Sequence, residues 1–220
     1  MLLDMDLSGK TVLIVGGGKV GGRKARKFLA AGANVLLVSR DSIKAVKRLG
    51  EKGKLRLINV NLETDLSSIE TWISKADYVV AATDNHEINA QIAQKTRRRK
   101  ARIHTNVVDN PQLGDFTLPV VSKVGDVAIA VSTGGKSPAM ARFLRGKIEE
   151  VISNEDVLMI KLQSYARELA KTHVNDQNLR KRVLYTIMRD ARIRHLLEHG
   201  DFQKAKTRAK MIVTRNHHDS

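Results

Sequence analysis

The segment "TVLIVGGGKVGGRKA", residues 11–25, is the part of the sequence that most clearly indicates the fold. It joins an apolar, β-branched run to a helical pattern through the spacing Gly16-x-Gly18-x-x-Gly21. Glycines at this spacing let the backbone turn tightly and approach a pyrophosphate, whose charge the N-terminus of the following helix favours. Because a glycine loop between a strand and a helix is typical of dinucleotide sites, we predict cofactor contacts at Gly16, Gly18 and Gly21.

Four more short apolar runs follow this stretch, and helical patterns separate them. The predicted strands cover residues 11–16, 34–39, 54–60, 77–83 and 102–108. Strands that alternate with helices form a parallel, doubly wound sheet. The predicted fold class is therefore α/β, with an N-terminal Rossmann-type parallel sheet.

The pattern changes after Pro111. The segment "FTLPVVSKVGDVAIAVST" (116–133) predicts two short strands joined by a turn at Gly125-Asp126. Ser137 is a candidate N-cap before Pro138, and helices are predicted from there and over 155–172, 176–198 and 201–212. We predict a dinucleotide-binding domain at 1–113, a small region with short strands at 114–150 and a helical C-terminal domain at 151–220.

Composition bounds the partners and the compartment. The chain has a formal charge of +16, and a field of one sign attracts polyanions. One Trp, three Tyr and four Phe offer few platforms for stacking bases, so a multiply charged small anion is favoured over nucleic acid. The chain has no cysteine, no signal-peptide pattern at its start and no apolar run of about 18 residues, which favours a cytoplasmic protein without a membrane partner.

The ends of the second and fourth predicted strands supply further cofactor contacts. Ser39, Arg40 and Asp41 stand where NAD sites usually place an acidic residue and NADP sites an arginine, so both cofactors stay open at this point. Thr83 and Asp84, in "AATDN" (81–85), end the fourth strand at the edge where such sheets bind ligands. They are also good helix caps, and the two roles are compatible.

The fifth predicted strand ends in "NVVDNP" (106–111). Asp109 either forms a turn before Pro111 or faces the reacting end of a bound cofactor. The two interpretations do not compete, because a turn that ends the strand also holds the carboxylate at the cofactor edge of the sheet.

A second glycine-rich loop precedes a helix in "STGGKSPAMAR" (132–142). Exposed backbone N–H groups there would form an anion-binding nest, although an ordinary loop-to-helix entry has the same pattern. The predicted substrate contacts are Thr133, Gly134, Gly135, Lys136, Ser137 and Arg142. His217 and His218 have no companion ligand at useful spacing, so the metal ligands, if any, stay unknown.

Taken in order, "VLIVGGGKVGGRKA", "AATDN", "NVVDNP…GDFTLP" and "VSTGGKSPAMARFLR" resemble the precorrin-2 dehydrogenase family of siroheme biosynthesis, over about residues 7–150. The resemblance implies NAD-dependent oxidation of precorrin-2, a polyanionic tetrapyrrole, to sirohydrochlorin in a cleft between domains. It implies a homodimer that pairs through residues 114–150, and a catalytic aspartate at Asp109 that takes up a proton or orients the ring. It also implies cofactor contacts at Lys19, Val20, Asn106 and Val107. Some members of the family also insert ferrous iron, so ferrochelatase activity stays open.

The alternative is a non-catalytic Rossmann protein that senses a dinucleotide and binds DNA or another partner. The basic C-terminal helices motivate it. Asp109 counts against it, since a sensor does not need a carboxylate at the reacting end of the cofactor.

Overall fold

The computed structural model describes residues 2–99 and 103–215. The chain divides into two compact units, the first ending at Leu118 and the second beginning at Pro119.

Unit 1 contains a five-stranded parallel sheet in the order β3-β2-β1-β4-β5. The chain crosses over between β1 and β4, so the sheet has the switch point at which doubly wound folds bind ligands. This confirms the predicted Rossmann-type sheet. The strands are β1 (Thr11–Gly17), β2 (Asn34–Ser42), β3 (Arg56–Asn59), β4 (Tyr78–Ala81) and β5 (His104–Val107).

Helices cover both faces of this sheet. Residues of α1 and α2 pack on one face and residues of α3 and α4 on the other, as the two buried clusters show. The central strand β1 is therefore buried on both sides, which is why "VLIV" (12–15) is continuously apolar. The helices are α1 (Lys19–Ala30), α2 (Lys44–Glu51), α3 (Ile69–Ile73) and α4 (His86–Arg97).

The segment after β5 stays with unit 1. A short 3-10 helix spans Pro111–Leu113, and the backbone N–H of Asp115 then donates to the Thr105 carbonyl at 2.9 Å. The Phe116 ring meets the Tyr78 ring edge-on, with 5.8 Å between centroids. These contacts explain why the compact unit extends to Leu118, five residues beyond the predicted end of the dinucleotide domain.

Unit 2 begins with an antiparallel pair of strands joined at Gly125, as predicted. Five helices follow up to residue 215, where the described part of the chain ends, and the last four share one buried cluster. No helix in the described ranges has the length and apolarity to cross a bilayer. The elements are β6 (Val120–Val124), β7 (Val127–Val131), α5 (Pro138–Val151), α6 (Asn154–His173), α7 (Gln177–Arg189), α8 (Ala191–Glu198) and α9 (Phe202–Arg215).

The single helix predicted over 176–198 is wrong, because Asp190 divides it into α7 and α8. Asp190 ends α7 in an extended conformation and caps α8, where its carboxylate accepts from the Ile193 N–H at 2.9 Å. Arg208 donates twice to the same carboxylate, at 2.8 and 2.6 Å. This ion pair lowers the pKa of Asp190 and fixes the break from another helix, so the local pattern of apolar residues does not reveal it.

Candidate cofactor and catalytic site

The glycine loop between β1 and α1 divides into positions that pack and one that stays open. A Cβ on Gly16, whose φ is +115°, would lie 2.3 Å from the Ala82 carbonyl oxygen, and one on Gly21 would lie 1.9 Å from the Gly16 oxygen. Nothing lies within 4 Å of a Cβ built on Gly18. Gly16 and Gly21 are therefore needed for strand and helix packing, whereas the space beside Gly18 is free for a ligand.

The N-terminus of α1 is uncapped within the described part of the chain. Gly18 is the N-cap, no side chain accepts from the first-turn N–H groups, and that turn contains no acidic residue. Unsatisfied N–H groups and the positive end of the helix dipole favour a phosphate there. Lys19 is exposed and Val20 half-buried in the same turn. The loop thus fits the pyrophosphate of a dinucleotide.

The end of β2 lies against this loop. The Gly17 N–H donates to Ser39 Oγ at 3.0 Å, and the Ser39 hydroxyl donates to the Asp41 carbonyl, so Ser39 braces the turn. Arg40 forms ion pairs with Asp41, at 3.7 Å, and with Glu63, at 3.1 Å. The Arg40 guanidinium is therefore already paired with two carboxylates.

Asp109 is held by a side chain that sequence reasoning missed, the fully buried Asn89 of α4. The Asn89 Nδ2 donates to Asp109 Oδ1 at 3.0 Å and to the Thr83 carbonyl at 3.1 Å. Its Oδ1 accepts from the Thr83 N–H at 3.1 Å and the Thr83 hydroxyl at 2.7 Å. Both donors and both acceptor positions of the amide are used, so Asn89 fixes Asp109 relative to the end of β4.

The other oxygen of Asp109 faces a histidine. His86 Nδ1 contacts Asp109 Oδ2, and the His86 side chain is 83% exposed whereas that of Asp109 is 18% exposed. Asn85 caps α4 by accepting from the Glu87 and Ile88 N–H groups, which places His86 at the first helical position. The neighbouring Asp84 is exposed. The result is a carboxylate-histidine pair with one sheltered and one solvent-facing member.

Asn106 and Val107 lie at the end of β5 with their side chains turned to the protein. Asn106 Oδ1 accepts from Lys24 Nζ at 2.8 Å, and its Nδ2 donates to the Phe116 carbonyl at 2.8 Å. The Val107 side chain is fully buried, which leaves only its backbone for a ligand. Burial lowers the pKa of Lys24 to about 8, and the nearby charges of Lys27 and Arg23 lower it in the same direction.

The predicted substrate loop lies in unit 2, between β7 and α5. The Gly134 N–H donates to Ser132 Oγ at 3.3 Å, the Lys136 N–H to the Thr133 carbonyl at 3.2 Å, and the Ser137 N–H to Thr133 Oγ1 at 3.0 Å. Ser137 caps α5 by accepting from the Met140 N–H at 3.2 Å. These amides bond within the loop and the helix, and the exposed side chains of Lys136 and Arg142 carry the positive charge.

Unit 1 thus brings the glycine loop, the end of β2, Thr83 and Asp109 to one edge of the sheet, the carboxyl ends of its parallel strands. The predicted substrate residues form a separate group in unit 2. Asn89 was missed although the sequence holds a signal for it. It occupies the buried stripe of α4, with Ile92, Ala93 and Thr96, where a polar side chain needs internal partners.

The sheet order, the open helix end and the braced β2 turn define a dinucleotide-binding protein of the Rossmann class. In agreement, the family model described as "Putative NAD(P)-binding" matches residues 3–120, and the model "Sirohaem biosynthesis protein central" matches residues 124–150. The chain belongs to the precorrin-2 dehydrogenase family of siroheme biosynthesis.

Relatives and a solved structure support this assignment. A precorrin-2 dehydrogenase of Methanosarcina barkeri is 36% identical over 213 residues, which cover 96% of this chain and 92% of the relative. Siroheme synthase 1 of Yersinia pestis is 31% identical over 94% of this chain, but the match spans only 42% of that longer protein. The structure of SirC, a precorrin-2 dehydrogenase, covers 94% of this chain with a TM-score of 0.70 and 21% identity, which supports the fold.

Proposed function

We propose that this chain oxidises precorrin-2 to sirohydrochlorin with NAD as the hydride acceptor. Family membership supplies the substrate class, and one structural observation carries the chemistry: Asn89 fixes the Asp109 carboxylate at the cofactor edge of the sheet. A dehydrogenation of this kind removes a hydride from one carbon and a proton from another atom. NAD takes the hydride, so the chain itself must handle the proton.

Asp109 is the group that we assign to the proton. Asn89 donates to its Oδ1, which leaves Oδ2 as the oxygen that exchanges a proton. His86 Nδ1 contacts this second oxygen, and the His86 ring is open to solvent. In the proposed mechanism Asp109 accepts the proton from the substrate and His86 passes it to water, so the carboxylate is ready for the next turnover.

An anaerobic turnover assay with precorrin-2 and NAD tests this function. We expect the sirohydrochlorin spectrum with the unmodified chain, and Asp109→Ala should lower kcat by about 10²- to 10⁴-fold because the general base is gone. Glu87→Gln is the control, since it removes an exposed carboxylate from the first turn of α4, next to His86. Absence of product with the unmodified chain, or full activity of Asp109→Ala, would contradict the proposal.

The Arg40 ion pairs favour NAD over NADP. A 2′-phosphate beside Arg40 would also meet the carboxylates of Asp41 and Glu63, which repel it. We therefore expect the same turnover assay to give a higher kcat/KM with NAD than with NADP. Replacing both acids, as Asp41→Asn with Glu63→Gln, should reduce the difference in kcat/KM between the two cofactors. A higher kcat/KM with NADP in the unmodified chain would refute the proposed NAD preference.

We place the substrate carboxylates against Lys136 and Arg142. The N–H groups of Gly134, Lys136 and Ser137 are bonded within the loop, so we assign the polyanion to the exposed side-chain charges. Arg142→Ala should raise the KM for precorrin-2 by about tenfold with little change in the KM for NAD. Equal effects on both KM values would show that Arg142 has another role.

The homodimer predicted for the chain has a suitable face on α5. This helix exposes a stripe of large apolar side chains at helical spacing, with Phe143 57% exposed and Val151 80% exposed; the others are Met140, Leu144 and Ile148. An apolar stripe of this kind on a folded protein marks an interface. We propose that a second copy of the chain covers it.

Sedimentation at micromolar concentration tests the dimer. Phe143→Glu should convert a dimer to a monomer, because it places a charge in the middle of the apolar stripe. Met211→Glu is the control, since Met211 is 48% exposed on α9 and lies outside the stripe. A monomeric unmodified chain would disprove the proposal.

Ferrous insertion into sirohydrochlorin and a cytoplasmic location stay predictions. A chelation assay corrected for the spontaneous rate of insertion tests the first of them.

A further inference from the structure

The sequence "HLLEH" (195–199) on α8 has no role in the proposed reaction, and its spacing is that of a metal site. His195, Glu198 and His199 lie at positions i, i+3 and i+4, which share one face of a helix. We propose that these three side chains bind a divalent first-row transition-metal ion. The proposal does not depend on the dehydrogenase activity.

The ligand atoms of the three side chains already lie close together. One donor atom from each residue falls within 4.8 Å of the others, and all three residues are exposed to solvent. The two imidazole rings have centroids 4.3 Å apart. Small rotamer changes would bring such atoms to the roughly 2.0–2.2 Å from one ion that zinc-nitrogen and zinc-oxygen bonds require.

A backbone hydrogen bond selects the tautomer of His199 that can bind a metal. His199 Nδ1 lies 2.9 Å from the His195 carbonyl oxygen. Because a carbonyl only accepts, Nδ1 carries the proton and Nε2 presents its lone pair to solvent. Histidine ligands in metal sites are oriented by this type of outer hydrogen bond, so the structure supplies a second feature of a site besides the spacing.

The opposite face of α8 is anchored in the core of unit 2. Ile193 and Leu197 are fully buried, and the N-terminus of α8 is fixed by Asp190 and its two hydrogen bonds from Arg208. The three ligands therefore project from a rigid element. A preformed arrangement loses less entropy on binding than one on a loop, which favours affinity.

The donor set selects the class of ion. Two imidazole nitrogens and one carboxylate suit Zn²⁺, Ni²⁺, Cu²⁺ and Fe²⁺, whereas Mg²⁺ and Ca²⁺ prefer sites made only of oxygens. With three ligands from the chain, the remaining coordination positions belong to water or to an incoming ligand. The site is therefore an open one, able to take up an ion from solution and to release it.

Titration of the full, metal-free chain with Zn²⁺ tests the site. His217 and His218 are first replaced by alanine, so that these tail residues, which lie outside the described ranges, cannot contribute. The resulting double variant, called the parent below, should bind one ion per chain. Adding His195→Ala or His199→Ala to the parent should each weaken binding at least about tenfold. His173→Ala is the control, because it removes a histidine of unit 2 that lies outside the cluster.

Thermal unfolding separates loss of the site from loss of the fold. Zn²⁺ should raise the midpoint of the parent, since an ion that binds only the folded chain stabilises it. The His199→Ala variant should keep the metal-free midpoint and lose this rise. The proposal is overturned if the parent takes up no Zn²⁺, or if His195→Ala and His199→Ala bind it as tightly as the parent does.

Discussion

Two helices of this chain begin after glycine-rich loops, and the structure treats their N-termini differently. At α1 the cap is Gly18, no described side chain accepts from the first turn, and the adjacent space is open. At α5 Ser137 accepts from the Met140 N–H, and the Gly134 and Ser137 N–H groups bond within the loop. Similar sequence patterns thus give one open anion site and one closed turn, and what distinguishes them is whether a hydroxyl caps the helix.

The largest loss of stability should follow from adding a side-chain atom where the backbone packs tightly at the start of α1. Gly21→Ala would place a Cβ 1.9 Å from the Gly16 oxygen, so β1 and α1 would have to separate. We expect a loss of about 3 kcal/mol in the free energy of unfolding, at the upper end for overpacking, measured by urea denaturation. Gly146→Ala on α5 is the control because its Cβ meets nothing within 4 Å, and an equal loss there would contradict the interpretation.

Gly18→Val should separate binding from stability at the open helix end. Its added atoms enter free space at an ordinary φ of −76°, so the unfolding free energy should stay within about 1 kcal/mol of the unmodified chain. NAD affinity, measured by fluorescence titration, should fall about a hundredfold because the side chain fills the phosphate position. Unchanged affinity would mean that the cofactor does not approach Gly18.

Lys24 of α1 is a partly buried cation that donates to Asn106 of β5. Its pKa of about 8 in the folded chain lies below the ordinary lysine value of 10.5, so at neutral pH the buried charge lowers stability. As the pH rises from 8 to 10.5 the folded chain binds fewer protons than the unfolded chain, and this contribution makes folding more favourable. The gain should be about 1–2 kcal/mol after allowance for partial exposure.

Urea denaturation at several pH values in this window measures the effect. As the pH rises, the unfolding free energy of Lys24→Met should fall relative to that of the unmodified chain. The exposed Lys52 of the α2 C-cap supplies the control, and Lys52→Met should give a constant difference. A constant difference for Lys24→Met as well would show that its amine is not perturbed.

The smallest effect is expected at the closed helix end. Ser137→Ala removes the cap of α5 and should cost about 1 kcal/mol of unfolding free energy, with no change in NAD affinity. Ser137→Asp, which restores an accepting oxygen, should recover most of that stability. A loss of NAD affinity in Ser137→Ala with unchanged stability would show that the loop before α5 binds the cofactor, contrary to the difference described between the two loops.

The sequence predicts the elements that local pattern controls. Continuous β-branched runs mark β1 and β4 because both faces of the sheet are covered, and the glycine spacing marks the turn into α1. The break at Asp190 escapes prediction because Arg208, far along the chain, stabilises it. The closed state of the loop before α5 escapes it too, since hydroxyls and glycines suit a nest and a capped turn equally well.

The site is only partly accessible to sequence reasoning for the same reason. Asp109 stands out as a carboxylate at a strand end, but its partner Asn89 becomes meaningful only when α4 packs against the sheet. The spacing of His195, Glu198 and His199 is visible in the sequence, but their grouping in space follows from the helix that carries them. The Asn89–Asp109 and Asp190–Arg208 pairs depend on long-range packing, which local sequence patterns do not reveal.

The saturated amide of Asn89 also limits what mutation can do at that position. Aspartate loses both donors and sets a negative charge against Asp109; leucine loses every bond; glutamine carries the amide a methylene too far into a fully buried space. In a library of all substitutions, position 89 should tolerate almost nothing, while its exposed neighbour Glu87 varies freely. Asn89 and Asp109, twenty positions apart, should therefore be retained together in related chains. A related chain that lacks one of the two residues should accept substitutions at the other.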